Sequence, residues 1–363
     1  MLYFIIFSFF AIMIILDNRK IAIPLQKIII LYSFLTFWLM SGLRWRTGTD
    51  WVAYHDYFVY RNTYKDFMNY LSFEYGFKLL NWLVKSFTSS YSFFLLLQGF
   101  FIISLKYLRL LKDSNFIIFS ILIYFASFLG DIFFVRQSIA ISICVYWGIH
   151  FIKEQKFIPF MLIIFIATLF HSSAVAFIIL YFLNKKVNFL LLNSILAISI
   201  IVGMTGILNS VISALLSAFS IPPFIAERLL NYGDNEVSYG MRNIIKMFDR
   251  LFIVIFILLC YKRIKINTSM QLYVNMFYLS VITFFMFTGS LDIFVRFSLM
   301  FRFSEVILVP YLISNFKYIE VRIILTIIFL FYYCLKLYNI LMGYWDLFVP
   351  YGNVVFKFER ILY

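Results

Sequence analysis

Long apolar runs with almost nothing charged inside them make up most of the chain. They fall at about 2–16, 28–43, 92–110, 115–129, 134–152, 157–183, 188–208, 248–261, 271–288, 297–314 and 321–341. Runs of this length match the roughly 20 residues a helix needs to cross the ~30 Å hydrocarbon core of a bilayer. A backbone in lipid must satisfy its own N–H and C=O groups, and contiguous helices do so. Charged residues make up 13% of the chain and mean hydropathy is +0.94, whereas a soluble domain carries roughly 25% charge. The expected fold class is all-α, a polytopic integral membrane protein. No loop is long enough for a separate soluble domain, so residues 1–363 are expected to form a single membrane-embedded domain.

Orientation follows from the basic clusters between runs: Arg19, Lys20 and Lys27; Lys106, Arg109 and Lys112; Lys153 and Lys156; Lys185 and Lys186; Lys262, Arg263 and Lys265; Lys317 and Arg322. Cytoplasmic loops are enriched in Lys and Arg, so all of these are expected in the cytoplasm. Lys153/Lys156 and Lys185/Lys186 then bracket one apolar run on the same side. That run must cross twice or dip in and return, with its break at Phe170-His171-Ser172-Ser173. The count becomes about twelve spans, some short or re-entrant, with both termini outside. The start, MLYFIIFSFFAIMIILDNRK, lacks a basic leading region and a small-residue cleavage site, so it reads as a first membrane helix. External segments are expected at 44–90, 130–136, the turn at 171, 209–247, 289–302 and 342–363. Segments 72–90 and 209–223 read as interfacial helices on that side.

The formal net charge is +14. In a soluble protein that would point to nucleic acid. Here it reads first as the basic loops, and no nucleic-acid partner is expected. The arginines need a second explanation, because the expected external face holds Arg44, Arg46, Arg61, Arg136, Arg228, Arg242, Arg250, Arg296 and Arg302. Several stand inside apolar sequence, where a charge is costly and normally faces a partner or cavity. Structural pairing is one reading: Arg296 with Asp292, Arg302 with Glu305, and Asp131 or Asp249 for the others. Binding of an anionic ligand is the other. Arginine keeps its charge and grips phosphate bidentately, and the carboxylates are too few to neutralise every arginine.

The densest polar stretch is SGLRWRTGTDWVAYHDYF at 41–58. Asp50 and Asp56 are candidate general bases or sugar-hydroxyl ligands. Trp45, Trp51, Tyr54, Tyr57 and Tyr60 suit either a membrane-interface belt or stacking on sugar rings. His171, at the expected helix break, is either hydrogen-bonded packing or a functional group. Cys144, Cys260 and Cys334 sit apart in apolar runs, and the histidines show no metal-ligand spacing. No metal and no cofactor is expected.

Several of these stretches resemble, in order along the chain, the EpsG-type family of polysaccharide polymerases, relatives of bacterial O-antigen polymerases of the Wzy-like kind. They are RWRTGTDWVAY, with Arg44, Gly48-Thr49-Asp50 and Tyr54; Glu74 and Gly76 in FEYGFKLLNWLV; Arg136-Gln137 and Ala140 in VRQSIAISI; His171 and Ser172 in ATLFHSSAV; VRFSLMFRFSEVILVPYL; and the closing VPYG. The resemblance implies a GT-C-like, metal-independent glycosyltransferase in the bacterial inner (cytoplasmic) membrane, multi-pass, with its site facing the periplasm or exterior. Such an enzyme joins undecaprenyl-diphosphate-linked oligosaccharide repeat units of an O-antigen, capsule or exopolysaccharide and releases the lipid diphosphate. Its partners would be the lipid-linked donor and acceptor, the bilayer and a chain-length regulator protein. On this reading Asp50, His171 and Arg136 are catalytic. Arg44, Arg46, Asp56, Glu74, Gln137, Arg242, Arg250, Arg296 and Arg302 bind substrate. Competing readings are a flippase for lipid-linked sugars, a membrane acyltransferase acting on a polysaccharide, and a structural subunit of a biosynthetic complex.

Overall fold

The computed structural model describes residues 1–17, 22–133, 135–208, 210–211, 214, 241–261, 266–288 and 292–355. It is about 82% helical, and the described residues form no strand beyond one isolated bridge. The helices are α1 (Leu2–Asp17), α2 (Ile23–Leu43), α3 (Trp51–Val59), α4 (Tyr64–Met68), α5 (Tyr75–Phe87), α6 (Tyr91–Asp113), α7 (Ile117–Phe128), α8 (Arg136–Ile143), α9 (Ile149–Lys153) and α10 (Phe157–Thr168). They continue with α11 (Ile178–Phe182), α12 (Phe189–Thr205), α13 (Met241–Tyr261), α14 (Thr268–Phe287), α15 (Asp292–Arg302), α16 (Ser304–Ser314), α17 (Ile319–Gly343) and α18 (Trp345–Phe348). Five apolar stretches are long enough to cross a membrane: α2, α6, α14, residues 294–314 and α17; shorter apolar helices accompany them. The protein is an all-α polytopic membrane protein.

The chain packs as two compact units, Met1–Val175 with Val309–Tyr363, and Ala176–Leu308. In the first unit α7 is the centre. All of its residues from Ile117 to Phe128 are buried, as a helix that is apolar all round requires. Around it stand α1, α2 and α17, and α6 lies against both α2 and α8. On α2, Ile28, Leu31, Tyr32, Leu35 and Leu39 are exposed at helical spacing; a stripe of that kind suits lipid. The N-terminus of α6 is capped by Ser90, whose hydroxyl accepts from Phe93 N–H at 3.3 Å. Between α8 and α9 the chain makes one π-helical turn, Cys144–Gly148. The wider turn releases carbonyls, and Arg109 takes two of them, with Nε donating to Val145 O at 3.0 Å and Nη2 donating to Tyr146 O.

In the second unit α14 packs against α12 and α15. Asn188 and Asn267 cap α12 and α14. Asn275 on α14 donates to the carbonyls of Leu183 and Lys185 at 2.7 and 2.9 Å, which ties the chain ahead of α12 to the bundle.

The expected break in the 157–183 run is present: α10 stops at Thr168 and a 3-10 turn covers Ser172–Phe177. The expected helix within 72–90 forms as α5, burying Gly76, Phe77, Asn81 and Val84. One expectation fails. Lys106 and Arg109 do not join a surface cluster; both are buried within α6. Asp131, expected in an external loop as a partner for an arginine, instead pairs with Lys106. The reason is the length of α7. Its 12 residues rise only about 18 Å, short of the ~30 Å core, so the following turn stays within the bundle. Most of segment 209–223, Arg19, Lys20, Arg228 and the 262–265 cluster lie outside the described residues.

Candidate functional site

The polar stretch after α2 is held by the far end of the chain. Residues 43–48 run antiparallel to the VPYG segment: Trp45 N–H donates to Gly352 O at 2.9 Å, Val354 N–H to Leu43 O at 2.9 Å and Gly48 N–H to Leu347 O at 3.0 Å. Thr47 Oγ1 donates to Trp45 O at 2.9 Å and accepts from Gly352 N–H at 3.0 Å. Gly48 has φ +109°, where a side chain is strained, and an added Cβ would lie 3.1 Å from the Arg44 guanidinium.

Arg44 is 2% exposed and its Nη1 donates to Phe133 O at 2.8 Å. Burial pulls its pKa below the ordinary value, and neighbouring Tyr91, Tyr351, Tyr54 and Asp50 oppose that pull. Its Nε is buried with no hydrogen-bond partner, as are the Trp51 indole N–H and the Tyr91 hydroxyl. Asp50 is exposed at the N-cap position of α3.

Two other sequence-derived candidates, Glu74 and Tyr54, meet Arg136, the first residue of α8. Arg136 Nη1 donates to Glu74 Oε2 at 2.6 Å and to Ser72 O at 3.2 Å, and Nε donates to Tyr54 OH at 3.0 Å. The guanidinium lies over the Phe73 ring at 4.4 Å from its centroid. Its partner is therefore Glu74, and not Asp131. These contacts hold the group at Nη1 and Nε with Phe73 on its face, and Nη2 makes no hydrogen bond among the described residues. Burial pushes the Tyr54 phenol above its ordinary pKa although Arg136 opposes the shift, so the phenol stays protonated and accepts from Nε through a lone pair.

Glu74 also reaches the α10 break. Its Oε1 accepts from Ser172 N–H at 3.3 Å, while Gly76 N–H donates to Leu169 O at 2.7 Å. A Cβ on Gly76 would stand 2.8 Å from that carbonyl, so the close approach of α5 to this turn needs glycine. On the turn, His171 Nδ1 accepts from Ser173 N–H at 3.2 Å and lies 2.7 Å from Ser173 Oγ. Gln137 Nε2 donates to Ser173 Oγ at 3.3 Å, which leaves the hydroxyl proton for Nδ1. A neutral ring that accepts at Nδ1 carries its proton at Nε2. His171 is thus tied to the turn through Nδ1.

The remaining candidates make other contacts. Arg46 is exposed beside Arg44. Asp56 Oδ1 is 3.0 Å from His55 Nδ1, and the His55 ring stacks on Trp51 with centroids 4.5 Å apart. Arg250, Arg296 and Arg302 belong to the second unit. There Arg302 Nη2 pairs with Asp249 at 3.2 Å and Nε with Glu305 at 3.8 Å, as the i, i+3 spacing to Glu305 leads one to expect. Arg250 is buried, donates to Lys246 O at 3.0 Å and lies 3.4 Å from the Phe284 ring centroid. Arg296 is exposed. The side chains of Arg242 and Asp292 lie outside the described residues. Phe73 and Ser173 take part without having been singled out. The Phe73–Phe77 spacing around Glu74, which puts both rings beside one cation, was the signal for Phe73 in the sequence.

Fold and site together define a class: a multi-span helical membrane protein with an oriented arginine, a carboxylate and hydroxyl-bearing side chains gathered at one end of its larger unit. The model of the EpsG family matches residues 27–353, and the chain belongs to the EpsG family, a Wzy-like polysaccharide polymerase family. No curated protein and no solved structure matches it. Membership supports a polysaccharide polymerase-type function in general.

Proposed function

We propose that this site joins undecaprenyl-diphosphate-linked oligosaccharide repeat units by glycosyl transfer at the outer face of the bacterial inner membrane. The supporting observation is the Arg136 guanidinium, held at Nη1 by Glu74, at Nε by Tyr54 and on its face by Phe73, with Nη2 uncommitted. A preorganised cation aimed at a developing anion lowers a barrier without reorganising during the reaction. The acceptor hydroxyl oxygen attacks the anomeric carbon of the donor glycan. The bond from that carbon to the diphosphate oxygen breaks, and the diphosphate leaves with the electron pair. Arg136 Nη2 takes the charge that develops there, with Arg46 as a further donor, while the buried Arg44 holds the Phe133 carbonyl.

The acceptor proton goes to Asp50, the exposed carboxylate on the same arm. His171 and Gln137 hold the Ser172–Ser173 turn against Glu74, and Asp56 serves the sugar hydroxyls beside the Trp45 and Trp51 rings. The test is the gel ladder of surface polysaccharide with and without the gene, read beside the lipid-linked pool. A polymerase predicts loss of the ladder, retention of the single-repeat band and lipid-linked units that have already crossed the membrane. Units stranded on the cytoplasmic face would instead identify a flippase. Normal chain length with missing acyl groups would identify an acyltransferase.

A further inference from the structure

One buried charge cluster has no part in the chemistry above. Lys106 is fully buried in α6, and its ammonium pairs with Asp131, itself 2% exposed. Lys106 lies two turns from the Asp113 end of α6, about 10 Å along the helix. The second donor to Asp131 Oδ2 is the Tyr124 hydroxyl of α7 at 2.5 Å. The third, Ser138 Oγ of α8, donates to Oδ1 at 2.6 Å. One carboxylate thus gathers donors from the three helices that wall this part of the unit.

The location gives the cluster its consequence. The chain leaves α7 through three successive residues with positive φ, Leu129 at 50°, Gly130 at 60° and Asp131 at 56°. Two of these have side chains, which disfavour that conformation. A few residues later α8 opens with Arg136 and Gln137, and Ser138 stands in the same first turn. The segment is pinned at both ends: Asp131 holds Ser138, and Arg44 holds the Phe133 carbonyl at 2.8 Å. Isolated charges inside a bundle are strongly disfavoured, but a buried ion pair with its remaining lone pairs satisfied fixes a unique arrangement.

We propose that Asp131 is a positioning residue for the Arg136 site. Paired with Lys106 and oriented by Tyr124, it anchors the first turn of α8 through Ser138 and so sets where the Arg136 guanidinium points. This rests on the reading of Arg136 as the anion ligand. The Lys106–Asp131 pair supplies the anchor, and the Ser138 hydroxyl is the only link from that anchor to α8 among the contacts described.

The test separates the link from the fold. Purified protein in lipid nanodiscs is assayed on the lipid-linked oligosaccharide extracted from a strain that lacks the gene. Ser138→Ala leaves the Lys106–Asp131 pair intact. It is expected to lower the melting temperature by only a few degrees and keep KM while kcat falls by up to about 10²-fold, the loss a displacement of ~1 Å can cause. Ser138→Thr keeps a hydroxyl and is expected to retain the rate. The apolar pair Lys106→Met with Asp131→Leu removes both charges, as buried ion pairs tolerate, and is expected to accumulate folded protein with the same lowered kcat. Wild-type kcat in Ser138→Ala overturns the proposal even where the pair variant does not accumulate, and wild-type kcat in a folded pair variant overturns it equally. Arg136→Ala run in parallel distinguishes the failures. If Arg136→Ala is inactive while Ser138→Ala is normal, only the positioning role falls; if Arg136→Ala is active, the site reading itself falls.

Discussion

At the residue scale the site is a set of polar groups that apolar surroundings leave no alternative but to meet. Glu74 bonds both the part-buried Arg136 and the exposed Ser172 amide, so its loss would untie the start of α8 from the turn after α10. Asp50 stands apart from this network, as a group that must accept a proton should. Asp50→Asn is therefore expected to lower kcat by roughly 10²–10⁴-fold, the usual worth of a general base. KM for the lipid-linked substrate should change little, measured by initial rates on purified protein. A variant with unchanged kcat would move the base elsewhere.

These roles were partly legible beforehand. Arg136 and His171 stand out because an ionisable side chain in an apolar run needs a partner, and Glu74 and Gln137 stand out through the family resemblance. Which partner was not legible: Arg136 meets Glu74 across 62 residues and Tyr54 across 82, and no local period reports such distances. Lys106 misled for the same reason, since its position near Arg109 and Lys112 mimics a loop cluster while its partner lies 25 residues away.

At the scale of elements, short helices and breaks do the positioning. α7 is too short to cross, and the turn that follows it carries the chain into α8; α10 is cut at Thr168, and the turn that follows brings Ser172 and Ser173 to Glu74 and Gln137. The break at 171 could be read from the basic residues that flank the run, because charge placement fixes which side each end occupies. The antiparallel join of 43–48 with VPYG could not, because apart from Thr47 its hydrogen bonds are main-chain and carry no side-chain pattern. α5 must approach the α10 turn closely, and Gly76 permits it. Gly76→Ala would push a Cβ to 2.8 Å from the Leu169 carbonyl, against backbone that cannot rotate away. The expected cost is about 1–3 kcal/mol, seen as a lowered melting temperature, together with a drop in activity larger than the folded fraction explains. Activity that tracks the folded fraction alone would show that the α5 contact carries stability only.

For the whole molecule, the apolar runs settled the all-α membrane class, because no other backbone arrangement is as simple to satisfy in lipid. The two-unit packing was not visible in them, since lipid-facing and protein-facing surfaces share one composition. The proposed sidedness has a direct check. Lys156 and Ser172 are both exposed and flank α10 and its following turn. In otherwise cysteine-free protein, Ser172→Cys is expected to react with a membrane-impermeant maleimide added outside, and Lys156→Cys only after the membrane is opened. The reverse pattern would place the Arg136 site on the cytoplasmic face and exclude polymerisation there.

The central claim is that Arg136 carries the transfer of one lipid-linked repeat onto another, and one experiment addresses it most directly. A deletion strain is complemented with Arg136→Ala or Arg136→Lys, and the polysaccharide ladder is compared at matched protein level. Lysine keeps the charge but cannot hold Glu74 and Tyr54 while presenting a second pair of donors. The account predicts single-repeat product from both variants; long polymer from Arg136→Ala at normal protein level would contradict it.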